Sequence, residues 1–127
     1  MLGAKNAGAT LAVTDLARAR DFYENTLGLE AIDENPGGVL YRSGSSVVLV
    51  YPSEFAGTNK ATAAGWMVGD DLDAIVEELR AKGVTFEHYD DLPDTTRDGD
   101  VHMTGGFKAV WFKDPDGNIL NLTSMSM

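Results

Sequence analysis

The chemistry available to this chain is narrow. Its 127 residues contain two histidines, His88 and His102, and no cysteine. The lack of cysteine removes thiol nucleophiles, disulfides, Cys-ligated zinc and iron–sulfur clusters together. His102 lies in the stretch DDLPDTTRDGDVHMTGG, Asp90 to Gly106, close to Asp98 and Asp100. One imidazole with carboxylates is a donor set for a divalent cation. The same composition also describes a solvated acidic loop that carries one histidine. A general base needs to reach its substrate; only Asp98, Asp100 and His102 in that stretch, or Glu54 in a second polar segment, sit where a loop can deliver one. Neither histidine has a Gly-x-Ser-x-Gly partner, so no serine triad is legible. No GxGxxG or Walker A loop offers a phosphate cradle.

The elements that must position any such group are written twice. Leu11 to Asp15 is a β-prone run ending in a helix-capping Asp. Leu16, Ala19, Phe22, Tyr23 and Leu27 follow at helical spacing, and Gly28 stops the helix. The pattern returns at Trp66 to Asp70, with Leu72, Ile75, Val76 and Leu79 as the stripe and Gly83 as the stop. Val13/Val68, Asp15/Asp70 and Gly28/Gly83 share one offset of 55 residues, the mark of an internal duplication. Asp15 and Asp70 accordingly read as caps rather than acids.

Each helix is followed by strand signals: Leu29 to Asp33, Val39 to Arg42 and Ser46 to Tyr51, then Val84 to Tyr89, Phe107 to Lys113 and Asn118 to Thr123. Asp114-Pro115-Asp116-Gly117 predicts the turn between the last two. The fold class is therefore α+β, two tandem βαβββ modules: about 7–52, a linker at about 53–62, and about 63–125, all within one domain, 1–127. One helix covers one face of a four-stranded sheet, so the two sheets are expected to form a curved cup with the helices on its convex side. Asp90 to Gly106 is too long for a simple connection and is left as a loop, with Thr95 to Asp98 as a candidate lid. The formal net charge of −10 argues against a nucleic-acid partner and favours neutral or cationic ligands. No apolar run approaches a membrane span or a signal peptide, so the expected setting is cytoplasmic, without membrane.

The phrase Val13-Thr14-Asp15-Leu16-Ala17-Arg18-Ala19-Arg20-Asp21-Phe22-Tyr23, then Leu27-Gly28-Leu29 and the late Asp114-Pro115-Asp116-Gly117-Asn118, resembles the vicinal oxygen chelate superfamily from about Gly8 to Ser124. That superfamily includes glyoxalase I, extradiol dioxygenases, fosfomycin-modifying enzymes and bleomycin-resistance proteins. The resemblance implies the duplicated fold, a small-molecule ligand and a homodimer. It also implies four metal-ligand positions, which fall here on Gly8, Leu49, Ala63 (or Ala64) and Asn121. None is His, Glu or Gln, so a non-metal member with no cofactor and no catalytic set is expected. Strand alternation places Thr10, Leu49, Tyr51, Met67, Val110, Phe112 and Asn121 on the cup face if Asn121 pairs with Val110, with His102 joining from the loop; Trp66 and Trp111 read as core. Three readings stand. The first is a binding protein of the glyoxalase/bleomycin-resistance type that holds an apolar, flat or cationic ligand without a metal. The second is a metal-dependent lyase or dioxygenase with noncanonical ligands, and the third a module with a vestigial cup that pairs with another protein.

Overall fold

The computed structural model describes residues 1–125; residues 126 and 127, inside the expected domain bounds, lie outside the described residues. The chain forms two compact units, the first built from Met1–Ala63 with Asp114–Asn118 and the second from the remainder. Each unit has one sheet and one main helix, and neither sheet closes into a barrel.

In the first unit β1 (Ala9–Val13), α1 (Leu16–Arg20), β2 (Glu30–Asn35), β3 (Gly38–Ser43) and β4 (Ser46–Pro52) follow the expected βαβββ order. The sheet order is β1-β4-β3-β2, with β1 parallel to β4 and the other pairs antiparallel. Leu11, Val13, Val39, Tyr41, Val48 and Val50 are buried. Thr10 pairs with Leu49 and Ala12 with Tyr51 on the other face. Asp15 caps α1 by accepting the Arg18 N–H at 3.2 Å, a contact that contributes about 1 kcal/mol. α1 runs straight into a π-helical segment, Asp21–Thr26, whose wider turn closes Leu27 N–H onto the Phe22 carbonyl at 2.9 Å. Tyr23, fully buried, donates to Asp114 Oδ2 at 2.8 Å, which anchors the Asp-Pro-Asp-Gly turn to this helix.

The second sheet and its helix comprise β5 (Thr62–Met67), whose first two residues belong to the first unit, α2 (Leu72–Ala81), β6 (Phe86–Glu87), β7 (Thr95–Asp98), β8 (Val101–Thr104), β9 (Phe107–Lys113) and β10 (Ile119–Thr123). Its order is β5-β10-β9-β8-β7, with β6 also paired to β9. α2 buries Leu72, Val76 and Leu79, and Arg80 lies over the Phe86 ring. Phe86 in turn meets Phe112 edge to face, which identifies the helix-covered face of the sheet.

Several expectations are corrected here. Asp90 to Gly106 is no bare loop: it carries the β7–β8 hairpin, so His102 is a strand residue and Thr95 to Asp98 form strand β7. Asp70 does not cap α2; it sits in a 3-10 turn, Gly69–Asp71, that precedes the helix. The last hairpin turns through Asn118 as well as Gly117, with Asp114 N–H bonded to the Asn118 carbonyl at 3.0 Å. Asn121 therefore pairs with Trp111, not Val110. A shift of one residue moves every side chain to the opposite face. Val110 and Phe112, both 0% exposed, consequently join Leu120 and Leu122 in the core and line no ligand face, while Trp111 leaves the core.

Candidate functional site

The face of the second sheet turned away from α2 gathers the unit's distinctive chemistry. On β9 it presents Phe107, Ala109 and Trp111, and on β10 Asn121 and Thr123, opposite Trp111 and Ala109. β8 adds His102 opposite Ala109 and Thr104 opposite Phe107. Gly65 of β5 lies beside Asn121, whose Oδ1 is 3.1 Å from where a Cβ on Gly65 would stand. Alternation along β5 puts Met67, 49% exposed, on the same face.

Three rings pack together there. Trp111 meets Tyr89 edge to face at 5.4 Å and His102 edge to face at 4.9 Å, and Tyr89 lies 6.1 Å from His102. Such aromatic pairs contribute about 0.5–1.5 kcal/mol beyond the area they bury. They leave His102 only 1% exposed.

The protonation state of His102 follows from its contacts. Its Nε2 accepts the Tyr89 backbone N–H at 2.9 Å, so that nitrogen keeps its lone pair and the ring proton resides on Nδ1. Burial pushes the ring's pKa below the usual histidine value, against a smaller opposing pull from the Ala109 backbone toward which the ring is turned. The Nδ1 atom is buried and faces the Ala109 backbone, while Thr123 Oγ1 is buried without a hydrogen-bond partner among the described residues. A buried hydroxyl left so costs about 1–3 kcal/mol. Asn121 donates its amide to the Val110 carbonyl at 3.2 Å, which turns Oδ1 toward Gly65.

Other groups fall outside this face. His88 Nε2 meets Asp100 at 2.8 Å and Arg80 donates to the same carboxylate at 2.7 Å. The His88 and Arg80 contacts hold the Asp100 carboxyl below its usual range. A cavity of about 550 Å³ opens where α2 begins, lined by Asp70, Asp73, Phe107, Lys108, Ser124 and Met125 among others. Among its polar groups, Lys108 pairs with Asp73, and its N–H donates to Ser124 Oγ.

Of the residues predicted to line a ligand site, the second sheet brings Met67, His102 and Asn121 to one face and places Val110 and Phe112 in the core. Thr10, Leu49 and Tyr51 share the helix-free face of the first sheet. Tyr89, Ala109 and Trp111 were missed; the added turn residue Asn118, 7% exposed and bonded to Asp114 and to the Ala12 carbonyl, was the available signal for the true register. The donors do not fit a chelated cation. No group of three His, Asp or Glu residues converges among the described residues, and Gly8, Leu49, Ala63 and Ala64 offer no side-chain donor beside the single neutral oxygen of Asn121.

The sequence matches the family model of the Glyoxalase/Bleomycin resistance protein/Dioxygenase superfamily over residues 7–122. Among curated proteins none matches the chain. Solved structures with a similar fold include lactoylglutathione lyase from Agrobacterium tumefaciens, at 20% identity and TM-score 0.69 over 94% of this chain and 92% of that one. The fosfomycin resistance protein FosX from Listeria monocytogenes aligns at 15% identity and TM-score 0.71, over 98% and 95%. An integron cassette protein from the Halifax Harbour sewage outfall metagenome aligns at 18% and 0.68, over 95% and 99%. A further Listeria FosX structure is a complex with Mn(II) and 1S,2S-dihydroxypropylphosphonic acid.

Proposed function

The chain belongs to the Glyoxalase/Bleomycin resistance protein/Dioxygenase superfamily, and from that premise we propose that it is a small-molecule-binding protein that holds a flat, apolar or cationic ligand by contact, without a metal. One observation carries the reading: an aromatic face of Tyr89 and Trp111 bordered by Asn121, a neutral amide at a position the family resemblance assigns to a metal ligand. The rings supply stacking area, and Asn121, Met67 and His102 supply shape and a few polar contacts. Thr10, Leu49 and Tyr51 of the first sheet are proposed to contribute apolar contacts of the same kind. The formal charge of −10 disfavours anionic ligands. A metal-dependent lyase or dioxygenase has no donor set to draw on among the described residues. Residues 1–127 acting as one domain and pairing as a homodimer complete the proposal.

The test is a screen of flat aromatic compounds, neutral and cationic, by tryptophan fluorescence and thermal shift. A true ligand at a hundred times its Kd stabilises the fold by about 2.7 kcal/mol, several degrees in a domain of this size. Trp111→Leu is expected to weaken binding at least tenfold. A screen in which no compound shifts the melting temperature or quenches the fluorescence contradicts the proposal.

A further inference from the structure

The aromatic face of the second sheet also carries an ion pair. Glu87 of β6 stands opposite Trp111 of β9, just as Phe86 stands opposite Phe112 in the core. Alternation therefore puts the Glu87 side chain on the helix-free face with the Trp111 indole, their Cβ atoms about 5 Å apart. Lys113, two residues along β9 on that face, brings Nζ to 3.2 Å from Glu87 Oε1. The Tyr89 hydroxyl senses both charges. Burial raises its pKa most, the Glu87 carboxylate pushes it further up, and the Lys113 ammonium draws it down. Two half-buried rings, a carboxylate and an ammonium thus share one accessible patch.

The two charges are not held alike. The Lys113 side chain is 51% exposed and the Glu87 side chain 29%, so the ammonium faces water on a flexible stem while the carboxylate stays nearer the sheet. Neighbouring carboxylates are held more firmly. Asp90 receives two nitrogens of Arg97, at 2.8 and 3.2 Å, and Asp100 is shared by Arg80 and His88 at 2.7 and 2.8 Å. The Glu87–Lys113 contact is of the exposed kind that shifts an equilibrium by at most about fivefold. A cation stacked on Trp111 can take the place of Lys113, and the released ammonium returns to water.

The sign of the ligand's charge follows from this patch. An anion would meet Lys113 only while facing Glu87, in a chain of formal charge −10. A neutral ring gains stacking and leaves the carboxylate as it was. A planar cation gains the carboxylate and the indole π-face together, since a cation within about 6 Å of a tryptophan ring centre is attracted by the ring itself.

We propose that Glu87 selects the ligand's charge: the face takes a planar aromatic cation, its ring against Trp111 and its positive nitrogen beside the Glu87 carboxylate, with Lys113 as the resident cation that it displaces. The inference rests on the binding reading above and narrows its flat, apolar or cationic class to the last. Glu87 and Lys113 become the residues that set specificity.

The experiment titrates the full chain with N-methylquinolinium and with its neutral isostere 1-methylnaphthalene, followed by the indole ¹H–¹⁵N signal of Trp111. The cation is expected to bind about tenfold more tightly, the combined effect of one carboxylate and one ring face. Glu87→Gln should erase that margin and leave the neutral probe within about twofold of its original affinity. Lys113→Gln should act in the opposite direction, tightening the cation by up to about fivefold as its competitor is removed. Glu78→Gln, an equal change of charge on α2, where Glu78 pairs with Lys82, should leave the margin intact. Equal affinities for the two probes, a margin that survives Glu87→Gln, or a margin lost equally in Glu78→Gln overturn this inference while the binding reading stands. Failure of both probes to bind overturns the inference and weighs against the binding reading itself.

Discussion

His102 shows how far a single residue's role depends on its neighbours. A histidine in an acidic, turn-rich stretch looks solvated, yet it is buried under Tyr89 and Trp111 and holds a fixed tautomer. Desolvation lowers its pKa from 6.5. Below 6.5 the unfolded chain takes up a proton that the folded chain resists, so stability is full above that value and declines as the pH falls beneath it. An NMR titration should find the His102 ring with its proton on Nδ1 and an apparent pKa under 6.5. The loss of stability between pH 7 and 5 should be smaller in His102→Gln. A ring that titrates at or above the ordinary histidine value contradicts the assignment. Sequence could supply the residue but not this environment, because its covering rings, Tyr89 and Trp111, come from positions 13 and 9 residues away in the chain.

The elements follow the duplicated pattern closely in the first unit and less so in the second. The apolar alternation of β1 and β4 was enough to sort Leu11, Val13, Val48 and Val50 from Thr10 and Leu49, because no bulge or added turn residue intervenes. In β9 and β10 the same reasoning gave the wrong face: Asn118 belongs to the turn, and period-two logic has no tolerance for one extra residue. The β7–β8 hairpin escaped notice since TTRD and VHMT are polar strands without strong alternation. Turn chemistry also gives an element-scale prediction. Gly57 has φ +72°, and a Cβ there would collide with the Asp116 carbonyl oxygen, whereas Gly44, φ +59°, faces open space. Gly44→Ala should cost about 1 kcal/mol, the strain of a left-handed alanine. Gly57→Ala should cost about 2 kcal/mol more by denaturant unfolding, since backbone must also move. Equal losses would show that the Ser53–Ala61 segment does not pack on the Asp-Pro-Asp-Gly turn as described.

At the scale of the whole molecule, the family and the α+β duplication were legible from two phrases and one offset, whereas the site was not. Fold is carried by apolar spacing and turn residues, which survive at 15–20% identity to the solved relatives. A ligand face depends on individual side chains and their register, and here the positions that would bind metal carry Gly8, Leu49, Ala63 or Ala64, and Asn121. The account therefore turns on whether this chain recognises its ligand without a chelated ion. The most direct measurement is isothermal titration of the purified protein with Mn(II), Zn(II), Ni(II) and Fe(II), paired with elemental analysis of the protein as isolated. The account predicts well under a tenth of an equivalent of any transition metal and no saturable heat at micromolar concentrations. One equivalent of bound metal, or a micromolar 1:1 isotherm with any of the four ions, would contradict it.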